Sequence, residues 1–255
     1  MTISATCLEG DDEDPKSLAN FTSSYADVYC RMLGMSETTL KISAASVVLV
    51  GSFNPAIFQP EWFARNGLLP QGEVDDAKIQ IVHPQVSQFE TERFILQITT
   101  DRFSSLTKPN AVAEPLRDLV LGTFYILEHT PVSAIGLNCM LHFATGSEEE
   151  WHKIGDKLVP KDAWSPILEG RPGLRNLDIL AQKDHPNGPS VMVKIQPSVH
   201  VVPWGVYFEI NEHYPAEENS GLKSMMGILQ NRWEESQKNG ERIARHILDW
   251  ATAQS

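Results

Sequence analysis

The sequence predicts an α+β protein: antiparallel sheets backed by helices, an internal duplication of a strand-helix-strand-strand-helix unit, and a long C-terminal helix. Three observations carry this expectation. Alternating or β-branched runs recur along the chain, stretches of 3.6-residue periodicity separate them, and the order of elements from Ala45 onward nearly repeats. The implied boundaries are a leader over 1–17, a first half over 18–130 and a second half over 131–255.

The leader carries Asp11-Asp12-Glu13-Asp14-Pro15 and reads as a disordered acidic tail. It has neither the central Gly nor the closing Glu of a calcium loop. Phe21, Tyr25, Val28, Tyr29, Met32 and Leu33 keep the helical period. Ala45 to Phe53 holds Val47, Val48 and Val50 and ends at Gly51, Asn54 and Pro55, as a buried strand would. Pro60 opens a short helix that Gly67 closes. Ala77 to His83 and Phe94 to Thr100 alternate and predict two half-buried antiparallel strands joined by a turn.

Beyond Pro109, the spacing of Val112, Leu116, Leu119, Val120, Phe124 and Leu127 predicts a helix ending before Pro131. Ser133 to Phe143 returns to strand, and Glu148 opens a short helix through Lys157. Asn176 to Ala181, Ser190 to Gln196 and Val201 to Glu212 predict three more strands. A long helix from Leu222 to about Trp250 closes the chain, with Gly240 as a candidate kink. Two short strings echo the repeat in element order: Lys78-Ile79-Gln80 resembles Lys194-Ile195-Gln196, and Phe94 to Phe103 resembles Val206 to Tyr214.

Composition narrows the function. Against 33 Asp and Glu stand 21 Lys and Arg, a net charge of -12, which repels phosphate backbones and anionic membrane surfaces. Cys7, Cys30 and Cys139 are too scattered for a disulfide framework or a zinc site and imply a reducing compartment. The N-terminus has no signal-peptide pattern, and no stretch approaches about 20 consecutive apolar residues, so a cytoplasmic, non-membrane protein is expected.

Segments from three strands, Thr99-Thr100-Asp101-Arg102-Phe103, Leu137 to Phe143, and Phe208-Glu209-Ile210-Asn211 ahead of the helix with Trp233, resemble a sporadically distributed family of uncharacterised bacterial proteins. That resemblance implies architecture and a bacterial setting, and no chemistry. By element order alone, the duplicated unit also resembles GyrI-like ligand-binding domains, where a cleft between halves holds small molecules.

Candidate chemistry is dispersed. Cys139 and His142 lie three positions apart on one strand and therefore point to opposite faces, which favours a structural cysteine over a nucleophile. Glu149 and His152 share a helical face without the second copy a di-iron site requires. Glu209 and His213 fall on one face of a strand near His200 and Glu212, yet no ligand spacing marks a metal centre. Gly51 to Pro55 lacks the glycine run and lysine of a phosphate loop, and no cofactor is indicated.

Three functions compete. The first is a non-enzymatic protein-binding module or accessory subunit in a bacterial cytosolic system, including host defence, with Lys238, Arg242 and Arg245 as the one basic stripe. The second is a small-molecule sensor whose cleft between the halves is lined by Phe53, Phe58, Trp62 and Trp204. The third is a hydrolase built on Asp101, His142, Glu209 and Glu212.

Overall fold

A computed structural model describes residues 38–182, 188–216 and 221–253. The acidic leader, the helix expected over Phe21 to Met35, Cys7, Cys30 and Lys183 to Asn187 lie outside the described residues.

The first half runs β1 (Thr39–Gly51), a 3-10 turn (Pro55–Ile57), α1 (Pro60–Arg65), α2 (Gln71–Asp75), β2 (Lys78–His83), β3 (Val86–Glu90), β4 (Phe94–Thr99), β5 (Arg102–Thr107) and α3 (Glu114–Ile126). The second runs β6 (Val132–Ala144), α4 (Glu148–Leu158), β7 (Leu177–Gln182), β8 (Ser190–Pro197), β9 (Gly205–Pro215) and α5 (Gly221–Thr252). All nine strands join one antiparallel sheet in the order β2-β3-β4-β5-β1-β6-β9-β8-β7. The α+β class and the closing helix are as the sequence predicts, but the expected plural sheets are one. β1 and β6, the first strand of each half, pair at its centre along most of their length, Val47 opposite Leu137 and Ala45 opposite Cys139.

Four strands stand where two were expected between Ala77 and Thr107. β3 and β5 escape the hydrophobic pattern because their buried positions include hydroxyls: Ser87, Ser105 and Thr107 are fully or nearly fully buried. Each hydroxyl meets the backbone of a neighbouring segment. Ser87 Oγ donates to Phe58 O at 2.6 Å, and Thr107 Oγ1 accepts from Ala45 N at 3.0 Å. β2, expected half-buried, is exposed along its whole length because it forms the sheet edge, with Ile79 51% exposed. The string echoes also fall at unlike places. The Lys-Ile-Gln of β2 is at an edge and that of β8 is one strand inside the other, while β4 is separated from β1 by β5 and β9 lies directly beside β6.

Core residues come from one side of the sheet. Val47 and Leu49 of β1, Phe103 of β5, Leu96 and Ile98 of β4 and Phe89 of β3 meet Phe63 of α1, Val74 of α2 and Leu116, Val120 and Phe124 of α3. A second cluster joins Cys139, Leu141 and Phe143 of β6, Val206, Phe208 and Ile210 of β9 and Ile195 of β8 to Ile154 of α4. α5 completes both. Its buried residues form one stripe at spacings of three and four; Leu222, Met225, Leu229 and Trp233 enter the first cluster, and Ala244, Leu248 and Ala251 the second.

Between the two sets lies Gly240, which packs directly on Cys139 of β6. A Cβ there would sit 2.6 Å from Cys139 Cβ and 2.9 Å from its Sγ, so the glycine permits a close approach. Polar pins fix the helix beside this point: Asn239 Nδ2 donates to Glu212 Oε1 at 3.0 Å, and Tyr214 Oη donates to Glu212 Oε2 at 2.7 Å. Trp233 Nε1, deep in the first cluster, meets no hydrogen-bond partner among the described residues.

Gly240→Ala should therefore destabilise the protein by about 1–3 kcal/mol despite alanine's higher helix propensity. Gly227→Ala, on the same helix with nothing within 4 Å of the new methyl, should stabilise by about 0.5–1 kcal/mol. Urea midpoints for the two variants check the contrast; equal shifts would remove the close-approach explanation.

Candidate functional site

No described helix covers the other face of the sheet, and the strand register sets what that face displays. Ile42 of β1 is followed outward by His142 of β6, Tyr207 of β9 and Gln196 of β8. In the next row Ala44, Met140, Glu209, Lys194 and Asp178 lie side by side. A third reads Ile95, Leu106, Ser46, Asn138, Asn211 and Met192, and a fourth includes Val48 and Gly136. The centre is thus floored by short side chains, Ala44, Ser46, Gly136 and Asn138, while longer ones stand around it.

Hydrogen bonds tie this floor across three strands. Asn211 Nδ2 donates to Asn138 Oδ1 at 2.5 Å, and Asn138 Nδ2 donates to Ser46 Oγ at 2.8 Å. A Cβ at Gly136 would lie 2.9 Å from Asn211 Nδ2, so that glycine leaves room for the asparagine to reach across. Ser46 and Asn138 are buried, and their polar groups satisfy one another.

At one end of the floor lies the closest grouping of titratable side chains on this face. His142 packs on Tyr207 with ring centroids 4.5 Å apart and meets His200 edge-on at 5.2 Å. Tyr207 Oη donates to Glu209 Oε2 at 3.2 Å, and Lys194 Nζ lies 3.8 Å from the same oxygen. His142 Nδ1 is 2.8 Å from Ser198 Oγ. That hydroxyl oxygen already accepts backbone N–H groups of His200 and Val201, at 3.2 and 2.9 Å, so its own proton is left to donate to His142.

Burial, aided by the positive field His200 would add, lowers the His142 pKa to about 4. Burial first, then the Glu209 carboxylate, raises the Tyr207 phenol well above its usual value. His142 is therefore a neutral acceptor at pH 7. Ser198 has its oxygen lone pairs engaged by the turn it closes, which makes it a structural hydroxyl and not an activated nucleophile. Trp151 and Thr145 clamp the far side of the same loop, donating to Gly205 O at 3.0 Å and Trp204 O at 2.9 Å.

Of the four acid-base candidates, the fold brings only His142 and Glu209 together. Glu212 is buried on the opposite face beneath α5. Asp101 is exposed at the turn between β4 and β5, where the Thr99 hydroxyl donates to it at 2.6 Å and lowers its pKa. Cys139 also faces α5, away from His142, and burial, with Glu241 and Glu212 adding, pushes its thiol up to about 12. Among the described residues no group of three or more His, Cys, Asp and Glu could hold a metal ion; His152 lies 3.5 Å from Glu148 on its own helix.

The aromatic candidates divide as well. Phe58 is 1% exposed in the first core cluster, 5.4 Å from Phe103, and Phe53 lies 6.1 Å from Phe124. Trp62 covers Phe58 at 6.0 Å. Trp204 belongs to the second half, where it packs on Trp151 at 5.8 Å. The four therefore line no common cleft. The basic stripe is paired along its helix: Lys238 with Glu234 at 3.9 Å, Arg245 with Glu241 at 2.7 Å, and Arg242 donating to Asn239 at 2.6 Å.

Sequence reasoning missed Tyr207, Ser198, Ser46 and Asn138. The polar alternation Tyr207, Glu209, Asn211 against Val206, Phe208, Ile210 was a usable signal for β9, whereas the cross-strand partners depend on register. Protein-family models give no match to the chain, and a search of curated proteins finds none significantly similar.

The depressed His142 pKa couples folding to pH. Unfolding restores the ordinary value of about 6.5, so between about 6.5 and 4 the unfolded chain binds the extra proton and stability falls as the pH falls. This group should contribute about 1–3 kcal/mol of loss across that window and none below it. Urea unfolding of wild type and His142→Gln at pH 7.5 and 4.5 measures it; an unchanged pH slope in the variant would refute the assignment.

Proposed function

We propose that the chain is a non-enzymatic protein-binding module, an accessory subunit of a bacterial cytosolic system such as host defence, and that the sheet face left uncovered by the described helices meets its partner. One observation carries this reading. Ile42, Val48, Ile95, Leu106, Met140 and Met192 stand half-exposed on that face around a floor of short, mutually hydrogen-bonded side chains. Five strands at about 4.8 Å spacing and about ten residues at about 3.3 Å give roughly 800 Å², the share one partner contributes to a standard interface. Flexible methionines beside branched aliphatics suit a surface that adapts to another protein. The net charge of -12 favours a partner with a neutral to basic surface.

Two further points support it. Glu209 and Lys194 neutralise each other at the rim, which lowers the desolvation cost of covering them. The repeated strand-and-helix order around the central β1–β6 pair fits an origin by internal duplication, a route that widens one small sheet into a large face.

Val48→Lys combined with Met140→Lys places two charges on this face and none in the core. Affinity capture from the native host should recover a partner with wild type and lose it with this variant. With purified partner, the dissociation constant should rise at least about ten-fold, as for central interface residues. Partners that bind both forms equally would show that the face is not the docking surface.

A further inference from the structure

On the helix side of the second half, the segment after α4 folds back over it and borders a partly open pocket of ≈ 140 Å³. Ile195 and Val206 form its floor, Ile154 and Trp151 one wall, and Pro172 to Leu174 the strap across it. The lining is mainly apolar, and an apolar cavity of about 150 Å³ admits one benzene-sized ring.

Its mouth carries three charged or titratable side chains. Asp156 lies 3.7 Å from Lys161 Nζ, and His152 lies 3.5 Å from Glu148. Arg171 has no ion pair or side-chain hydrogen bond among the described residues. With the aspartate already matched by a lysine, the guanidinium is the uncompensated charge at this opening. In a chain of net charge -12, that arrangement selects for an anionic group at the mouth.

We propose that this cavity binds a small aromatic monocarboxylate, ring inward against Trp151, Ile154 and Ile195 and carboxylate outward on Arg171. It lies within one half, on the opposite side of the sheet from the docking face, so it is separate from the cleft between halves that the sequence suggested.

Isothermal titration of the full chain with benzoate, and with benzyl alcohol as the uncharged ring, tests the assignment. Benzoate should bind with a dissociation constant near or below about 1 mM. Arg171→Gln should weaken benzoate about five-fold and leave benzyl alcohol unchanged. Gly155→Phe should abolish both. A Cβ at Gly155 meets only Leu174 Cβ at an ordinary 3.7 Å, and the helix loses a glycine, so the variant is expected to fold; Leu174→Trp, on the strap, supplies an independent block. No saturable heat up to about 10 mM benzoate, or binding that survives both blocking variants, overturns the site. An unchanged preference for benzoate in Arg171→Gln overturns the carboxylate assignment.

Discussion

The structure depends on the contact between α5 and the central strand β6. The described helices pack on one side of the nine-stranded sheet, and α1, α2, α3 and α4 each cover one part of it. Only a helix that crosses the junction can join the resulting patches of core. α5 does so with one stripe of buried residues, and the stripe can be continuous because Gly240 lies over Cys139. Tertiary packing sets the local choice here: glycine is a poor helix former, and backbone proximity to β6 outweighs its propensity cost.

The same arrangement divides the polar chemistry. Side chains alternate across a strand, so His142 and Cys139, neighbours in sequence, belong to different environments. Cys139 faces the helix, is desolvated and holds its proton. His142 stays neutral for the same dielectric reason on the other side, between an aromatic ring and a serine that closes a turn. Glu212 and Glu209 divide in the same way, one pinned beneath α5 by Asn239 and Tyr214, the other paired with Lys194. The second strand-borne carboxylate serves helix placement, so a pair that looks functional in sequence is structural on one side and part of a surface on the other.

Much of the fold is legible in the sequence because strong periodicity survives translation into structure. α3, α4, α5, β6 and β8 lie close to their expected positions, each marked by a proline, a glycine or a capping serine such as Ser147, which accepts from Glu150 N at 3.1 Å. What was not legible has identifiable causes. β3 and β5 bury hydroxyls that satisfy neighbouring backbone, so polarity gave the wrong sign for burial. β2 is apolar and exposed because edges are decided by sheet order, which no local window contains. The polar ladder from Ser46 through Asn138 to Asn211 needs the register of three strands separated by long stretches of chain, and the cavity beside α4 needs the path of a connection with little regular structure.

Because both core clusters await Gly221–Thr252, the order of synthesis matters. A ribosome makes β1 through β9 before this helix, and until it emerges the growing chain presents an apolar sheet side stretching from Phe103 to Phe208 with its middle uncovered. Native closure is therefore a late event in the life of the polypeptide.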